Sequence, residues 1–228
     1  MIGDMKDAVS RSAPRFVAML FGILTGISHL DHGTLETLQG NTPTNGPIIS
    51  AVPIGATWSI WKQGGEGAVT LLPTMMSAGI VTILIGVTVI LWSVAFLHRK
   101  RGPAIYLLLC ILSLLSGGGI GQVVFFPVIF GFSTRVGKPL AFWKRALPQA
   151  TLPLLSRFWR ASAIGAAVFF LAALELAILG YFPFVNDSQT VLWINWSFLL
   201  VALVLMVFAF IAAFADDLRK RTESPAAG

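Results

Sequence analysis

The sequence predicts an all-α polytopic integral membrane protein, a helical bundle with four full transmembrane helices and a fifth, glycine-hinged split or re-entrant element. Of its 228 residues, 56% are hydrophobic and only 11% are charged, whereas a soluble domain carries about 25% charged residues. Fifteen of the sixteen Lys and Arg residues fall in four short clusters, at 6–15, 99–101, 135–160 and 219–221. This pattern is typical of a chain that crosses a bilayer repeatedly and keeps its basic loops on the cytoplasmic side.

Four segments are predicted to span the bilayer. Segments 71–97 and 191–215 contain no charged residue and exceed the roughly 20 residues needed to cross the hydrocarbon core. Segment 161–182 is interrupted only by Glu175, and segment 16–39 carries His, Asp and Glu in its outer third. We interpret 16–39 as an uncleaved first span, because no site with the small residues of a signal cleavage follows it.

The fifth apolar segment, 104–133, has two interpretations. The uncharged stretch around it would form one helix of about 50 Å, which is too long for the bilayer without strong tilt. A single crossing would place six basic residues on one side of the membrane and ten on the other. A turn at the glycines of 117–121 would return the chain to its starting side. It would place fifteen basic residues on that side of the membrane and one on the other. Because charge bias orients short loops strongly, we favour the turn.

The remaining organisation follows from that choice. Residues 1–221 are predicted to form one transmembrane domain with both termini cytoplasmic, and the small, polar residues 222–228 a disordered tail. The outer loop 40–70 is rich in turn-forming residues. Its apolar part, 48–60, is too short to span and is expected to lie over the bundle as a lid.

The end of the first span carries the most distinctive polar pattern. His29, His32 and Glu36 are three, four and seven residues apart, so they share one face of a continuing helix. Two imidazoles and a carboxylate are ligands that a transition metal such as Zn, Fe, Cu or Mn accepts. A proton or substrate relay, and simple solvation where the helix leaves the membrane, are the other two interpretations.

Three further polar residues are predicted to bind a proton or a substrate. Glu175 lies within an apolar span, where a carboxylate costs several kcal/mol unless it is protonated or paired. In the favoured topology Asn195 lies at a similar depth, and Gln122 follows the glycine turn toward the middle of the membrane. These side chains are therefore expected to converge with the His29–Glu36 stripe in the outer half of the bundle.

Charge and cysteine content limit the partners. The basic residues flank apolar spans and form no single face, so we expect anionic lipid head groups at the basic inner face and no nucleic acid. Membrane-protein partners and a homo-oligomer are also compatible with this composition. Cys110, the only cysteine, lies among leucines and is expected to be a small buried hydrophobe.

The stretches HGTLETLQGNTPTNG (32–46) and GGEGAVTLLP (64–73) resemble small bacterial multi-pass membrane proteins, which implies a bacterial plasma membrane and supplies no catalytic residue. Three functions remain open. The first is binding or transport of a small molecule or ion through an outer polar cavity. The second is a metal-dependent membrane enzyme that uses His29, His32, Glu36 and Glu175, and the third is a non-catalytic accessory subunit of a larger membrane complex.

Overall fold

The structure, a computed structural model, describes residues 12–53 and 66–223. These fold as the predicted all-α membrane bundle. In chain order its elements are α1 (Ala13–Thr37), β1 (Ile48–Ser50), β2 (Gly67–Val69), α2 (Met75–Ala95), α3 (Gly102–Leu114), α4 (Phe125–Ser133), α5 (Ala141–Ala146), α6 (Leu152–Leu155), α7 (Trp159–Leu179) and α8 (Ser188–Glu223). Of these, α1, α2, α7 and α8 are each long and apolar enough to cross a membrane.

Local sequence signals set several helix ends. Thr74 and Ser77 form a reciprocal capping box at the start of α2, which satisfies amide groups that have no partner within the helix. At the start of α8, the carboxylate of Asp187 accepts a 2.7 Å hydrogen bond from the amide of Thr190. Helix α7 ends at Gly180, whose φ of 61° is in the left-handed region. These signals account for boundaries that hydrophobicity alone places three or four residues away.

Helices α1 and α2 pack closely through small residues. An added Cβ on Gly33 would lie 2.7 Å from the carbonyl oxygen of Gly79, and one on Gly26 would lie 2.9 Å from that of Gly86. Such small residues allow two helix backbones to approach each other within a membrane. The close approach fixes the rotation of α1 about its axis, and so the direction in which its histidines point.

The split segment returns to the side from which it starts. At the first residue of α3, the Gly102 carbonyl accepts a 2.9 Å hydrogen bond from the indole of Trp92, near the end of α2. At the other limb, the Phe132 ring near the end of α4 stacks on Phe210 of α8, with ring centroids 4.7 Å apart. The intervening turn bonds to the short antiparallel hairpin of β1 and β2. In the structure the segment 104–133 therefore turns back at its glycines and does not form one long helix.

The bundle has two distinct ends. We call the end that carries Arg99–Arg101 and Arg219–Arg221 the basic end, and the end covered by β1 and β2 the hairpin end. The connector between α4 and α7 also lies at the basic end, where Leu140 and Leu152 pack against Phe214. The main apolar core runs between α1, α3, α4, α7 and α8.

The predicted spans match these helices to within a few residues except at the C-terminus. Helix α8 continues through Glu223, so the first two residues of the predicted tail are helical, and 224–228 lie outside the described residues. Residues 48–50 of the predicted lid form β1. The part of that lid from 54 onward also falls outside the described residues.

Candidate functional site

The glycine turn between α3 and α4 depends on two unusual backbone conformations. Gly117 has a φ of 130° and Gly119 a φ of 79°, and both values are costly for residues that carry a Cβ. The hairpin holds the turn from outside, since the Ile120 amide donates to the Gly67 carbonyl at 3.2 Å. The Thr70 hydroxyl also donates to the Ser116 carbonyl at 3.1 Å. The turn is thus a bonded part of the hairpin end.

The polar stripe of α1 faces this turn. His29, His32 and Glu36 are 1%, 1% and 0% exposed, so the interpretation as a solvated helix exit does not describe them. A Cβ on Gly119 would overlap the His32 imidazole, and one on Gly117 would overlap the Glu36 carboxylate. His29 lies beside the backbone of Gly118 without meeting hydrogen-bond geometry. His32 and Glu36 thus each lie where the Cβ of a larger residue in the turn would be, whereas a Cβ on Gly118 would meet Ser113 instead.

The stripe is buried, and its polar atoms form no hydrogen bond within the part of the chain that the structure describes. Neither the ring nitrogens of His29 and His32 nor the carboxylate oxygens of Glu36 meet hydrogen-bond geometry with any residue of 12–53 or 66–223. A buried polar group left unpaired costs about 1–3 kcal/mol, so the arrangement favours a bound partner. Across residues 12–53 and 66–223, however, no three His, Cys, Asp or Glu side chains are placed to hold a metal ion. The side chains diverge along the turn, and the metal site stays a prediction.

Glu66, just before β2, is the site residue that the sequence did not reveal. Its Oε2 lies 3.4 Å from Nε2 of His32, and its Oε1 accepts a 3.3 Å hydrogen bond from the Gly121 amide. Burial raises the pKa of the Glu66 carboxyl to about 7, while the Gly121 hydrogen bond acts in the opposite direction. In the sequence Glu66 reads as part of a glycine-rich turn, and only the pairing of β2 with β1 brings it over the bundle.

Gln122 lies just beyond the glycine turn and is 4% exposed. Its amide nitrogen donates to the Ser28 hydroxyl at 2.7 Å and to the Gly118 carbonyl at 2.8 Å. Because a carbonyl can only accept, the contact with Gly118 fixes which end of the amide is nitrogen. The Gln122 oxygen is then directed elsewhere, and it has no hydrogen-bond partner among the residues that the structure describes.

A cavity of about 270 Å³ lies below the hairpin, between the turn, α1, α7 and α8. Gln122 and Asn195, two of the predicted binding residues, line it together with Ser28 and Glu66. The Asn195 side-chain oxygen is also buried, and it too forms no hydrogen bond within the described ranges. Most of the remaining wall is apolar, formed by Ile120, Phe170, Ala173, Leu174, Ala177, Leu192, Trp196 and Leu199. No Lys, Arg or His is found among the described residues that line it.

Of the three residues predicted to bind a proton or a substrate, Glu175 is the one that does not line this cavity, and the His29, His32 and Glu36 side chains do not line it either. It occupies an exposed position on α7 and is absent from the cavity wall. Its charge is close enough to interact with that of the partly buried Asp31 on α1. On α7 the cavity is bounded instead by Ala173, Leu174 and Ala177, so the neighbours of Glu175 face the site and Glu175 itself does not.

Comparison with protein-family models, with curated proteins and with solved structures finds no match for this chain. Its function is therefore argued from the geometry of the site.

Proposed function

We propose that this membrane protein binds a small molecule that donates hydrogen bonds, in the cavity at the hairpin end of the bundle. The observation that carries the proposal is a pair of buried acceptors at that cavity, the side-chain oxygens of Gln122 and Asn195, which no residue of 12–53 or 66–223 pairs with. The Glu66 carboxyl adds further acceptor oxygens to the same wall. Transport is the extension of this proposal in which the bound molecule leaves on the other side.

The chemistry of the wall supports donors over acceptors. Leaving a buried acceptor without a partner costs about 1–3 kcal/mol, which a bound donor recovers. The amide nitrogen of Gln122 is already occupied by Ser28 and Gly118, so it offers no donor to a ligand. A molecule that can only accept hydrogen bonds would leave the oxygens of Gln122 and Asn195 unpaired.

The test is thermal unfolding of the protein in nanodiscs with a panel of small probes. Donors (ammonium, urea, glycerol, phenol) are compared with the acceptor-only probes acetone and anisole. We expect at least one donor to stabilise the protein, by about 2.7 kcal/mol at a concentration one hundred times its Kd, and the acceptor-only probes to have no effect.

Two variants show whether binding occurs at the cavity. Asn195→Leu replaces an unpaired acceptor with an apolar side chain of similar size. Ser197→Ala lies on the same helix, where Ser197 is exposed and bonds only to the Trp193 carbonyl. Stabilisation should be lost in Asn195→Leu and kept in Ser197→Ala. If no donor stabilises the protein, or if Asn195→Leu responds as the unsubstituted protein does, the proposal is wrong.

A metal-dependent activity is the second candidate, favoured by the unpaired nitrogens and oxygens of His29, His32 and Glu36. Elemental analysis of the detergent-purified protein tests it, alongside a His29→Ala/His32→Ala variant. A transition metal at close to one equivalent that disappears in the variant would support this candidate. Protein without such a metal, purified from a metal-supplemented culture, would refute it.

We also infer that the basic end faces the cytoplasm of a bacterial plasma membrane and contacts anionic lipids. The basic clusters at that end, at 99–101 and 219–221, support this orientation. Single cysteines at Asn41 and Thr222, in a Cys110→Ala background, test it with a membrane-impermeant thiol reagent. Labelling of the Asn41→Cys variant alone in intact cells is expected, and labelling of Thr222→Cys alone would reverse the orientation.

A further inference from the structure

We propose that the ligand of this cavity is a lipophilic molecule carrying a hydroxyl group, which the protein takes from the bilayer. This inference rests on the proposed function and specifies the class of molecule bound. It follows from three features of the cavity, namely its depth, the distribution of its polar groups, and its size.

The cavity lies within the apolar part of the bundle. Asn195 and Trp196 are seven and eight residues beyond Ser188 at the start of α8, or about 10–12 Å along the helix axis. On the facing helix, Ala173 and Ala177 precede the end of α7 at Leu179 by six and two residues. Both walls are therefore formed by stretches that the bilayer surrounds, between about half a turn and two turns below the hairpin end.

Apolar side chains with large exposed fractions flank the cavity. Trp196 is 55% exposed and Ile120 is 44% exposed, and both line the cavity as well. At this depth an exposed side chain faces lipid. The hairpin residues Glu66 and Gly67 cover the side toward water. The wall of the cavity is thus most apolar on the side that faces the bilayer.

The three uncharged polar side chains of the cavity lie at its buried part, while Glu66 lies on the side toward water. Ser28, Gln122 and Asn195 are 1%, 4% and 8% exposed. The unpaired oxygens of Gln122 and Asn195 accept hydrogen bonds and carry no charge, so a neutral hydroxyl is a sufficient partner. A hydrated ion would instead have to give up its water against walls of Phe170, Leu174 and other apolar side chains.

The volume limits the size of the ligand. About 270 Å³ corresponds to roughly nine groups of the size of water, at about 30 Å³ each. A substituted phenol or a medium-chain alcohol has this volume. A whole phospholipid does not fit within the cavity, whereas the head of a larger isoprenoid or aromatic alcohol does.

Two probes of nearly equal shape test the inference, 4-propylphenol and its methyl ether, 4-propylanisole. Both dissolve in lipid, and only the phenol donates a hydrogen bond. Titrated into the nanodisc-embedded protein and followed by thermal unfolding, the phenol should saturate with a Kd at least tenfold lower than that of the ether. In Asn195→Leu this preference should fall to twofold or less, whereas Ser197→Ala should retain it.

The outcomes separate this inference from the function on which it rests. If glycerol, urea or ammonium stabilises the protein through Asn195 and 4-propylphenol does not, the cavity binds a water-soluble donor and the lipophilic class is wrong. Equal affinity for the phenol and the ether also refutes the inference, since the hydroxyl would then contribute nothing. Absence of binding by every donor refutes the proposed function as well.

Discussion

Replacing Gly119 with Ala tests the contact between the glycine turn and the polar stripe of α1. Two costs follow from the structure. The φ of 79° lies in the region where a side chain costs roughly 1–2 kcal/mol. The new Cβ would also overlap Nε2 of His32 and lie 2.6 Å from its Cδ2, and displacing a packed neighbour costs about 1–3 kcal/mol. Together these predict a loss of about 2–5 kcal/mol in the free energy of unfolding.

Substitutions at two other glycines measure the cost of backbone strain separately from the cost of the overlap with His32. Gly137 has a φ of 70° with nothing within 4 Å of an added Cβ, so Gly137→Ala should lose only the roughly 1–2 kcal/mol of backbone strain. Gly131 lies within α4 with equally open surroundings, and Gly131→Ala should gain up to about 1 kcal/mol of helix propensity. The assay is reversible unfolding in mixed micelles with increasing dodecyl sulfate, read by circular dichroism.

A double-variant cycle identifies His32 as the cause of the larger loss. Removing the imidazole in His32→Ala makes room for the Cβ at position 119, so Gly119→Ala should cost less in that background than in the unsubstituted protein. If Gly119→Ala costs no more than Gly137→Ala, or if the cost is the same with and without His32, the described packing of the turn is wrong.

Three further outcomes are expected from the same assay. Tyr106→Phe removes the 3.0 Å hydrogen bond to the Thr25 hydroxyl and should lose about 0.5–1.5 kcal/mol, while a loss below the error of measurement would contradict that bond. Phe132→Ala removes the ring that stacks in the aromatic cluster at the basic end and should lose about 3 kcal/mol, whereas the exposed Phe142→Ala should lose less than about 1 kcal/mol. Burial and two neighbouring arginines lower the pKa of His98, so the unfolded chain takes up its proton more readily. Stability should therefore fall as the pH drops through about 6.5, and less so in His98→Gln, while an unchanged pH profile in that variant would contradict the lowered pKa.

The fold could be predicted to a large extent because charge and hydrophobicity act directly on topology. A bilayer requires long apolar helices and penalises charge within them. The distribution of Lys and Arg in the loops favoured a turn at 117–121 over a single crossing. Helix ends were less predictable. The capping interactions of Thr74 and Asp187 are local, and the continuation of α8 to Glu223 depends on its own polar final turns.

The sequence could predict which site residues lie together only where they share one helix. The spacing of His29, His32 and Glu36 places them on one face of α1 whatever the tertiary structure. Glu66 could not be found in this way, because its position depends on the pairing of two three-residue strands separated by a long loop. For Glu175, the spacing along the chain gave an expected depth in the membrane. It did not give the rotation of α7 about its own axis, because that helix is apolar on every side and has no preferred face.

The hydrogen bonds from the hairpin to the glycine turn make the loop before α2 a structural part of the helical bundle. Irregular backbone at membrane depth needs partners for its amides and carbonyls, which lipid cannot provide. Here Gly67, Thr70 and Leu71 provide them, the last through a 2.9 Å bond from its amide to the Leu115 carbonyl. The loop before α2 thus supplies the hydrogen bonds that water would otherwise supply to the backbone of the turn. Displacing this loop would leave the Ile120 amide and the Ser116 and Leu115 carbonyls without these partners, so a contact on its exposed surface would act on a turn that is buried in the bundle.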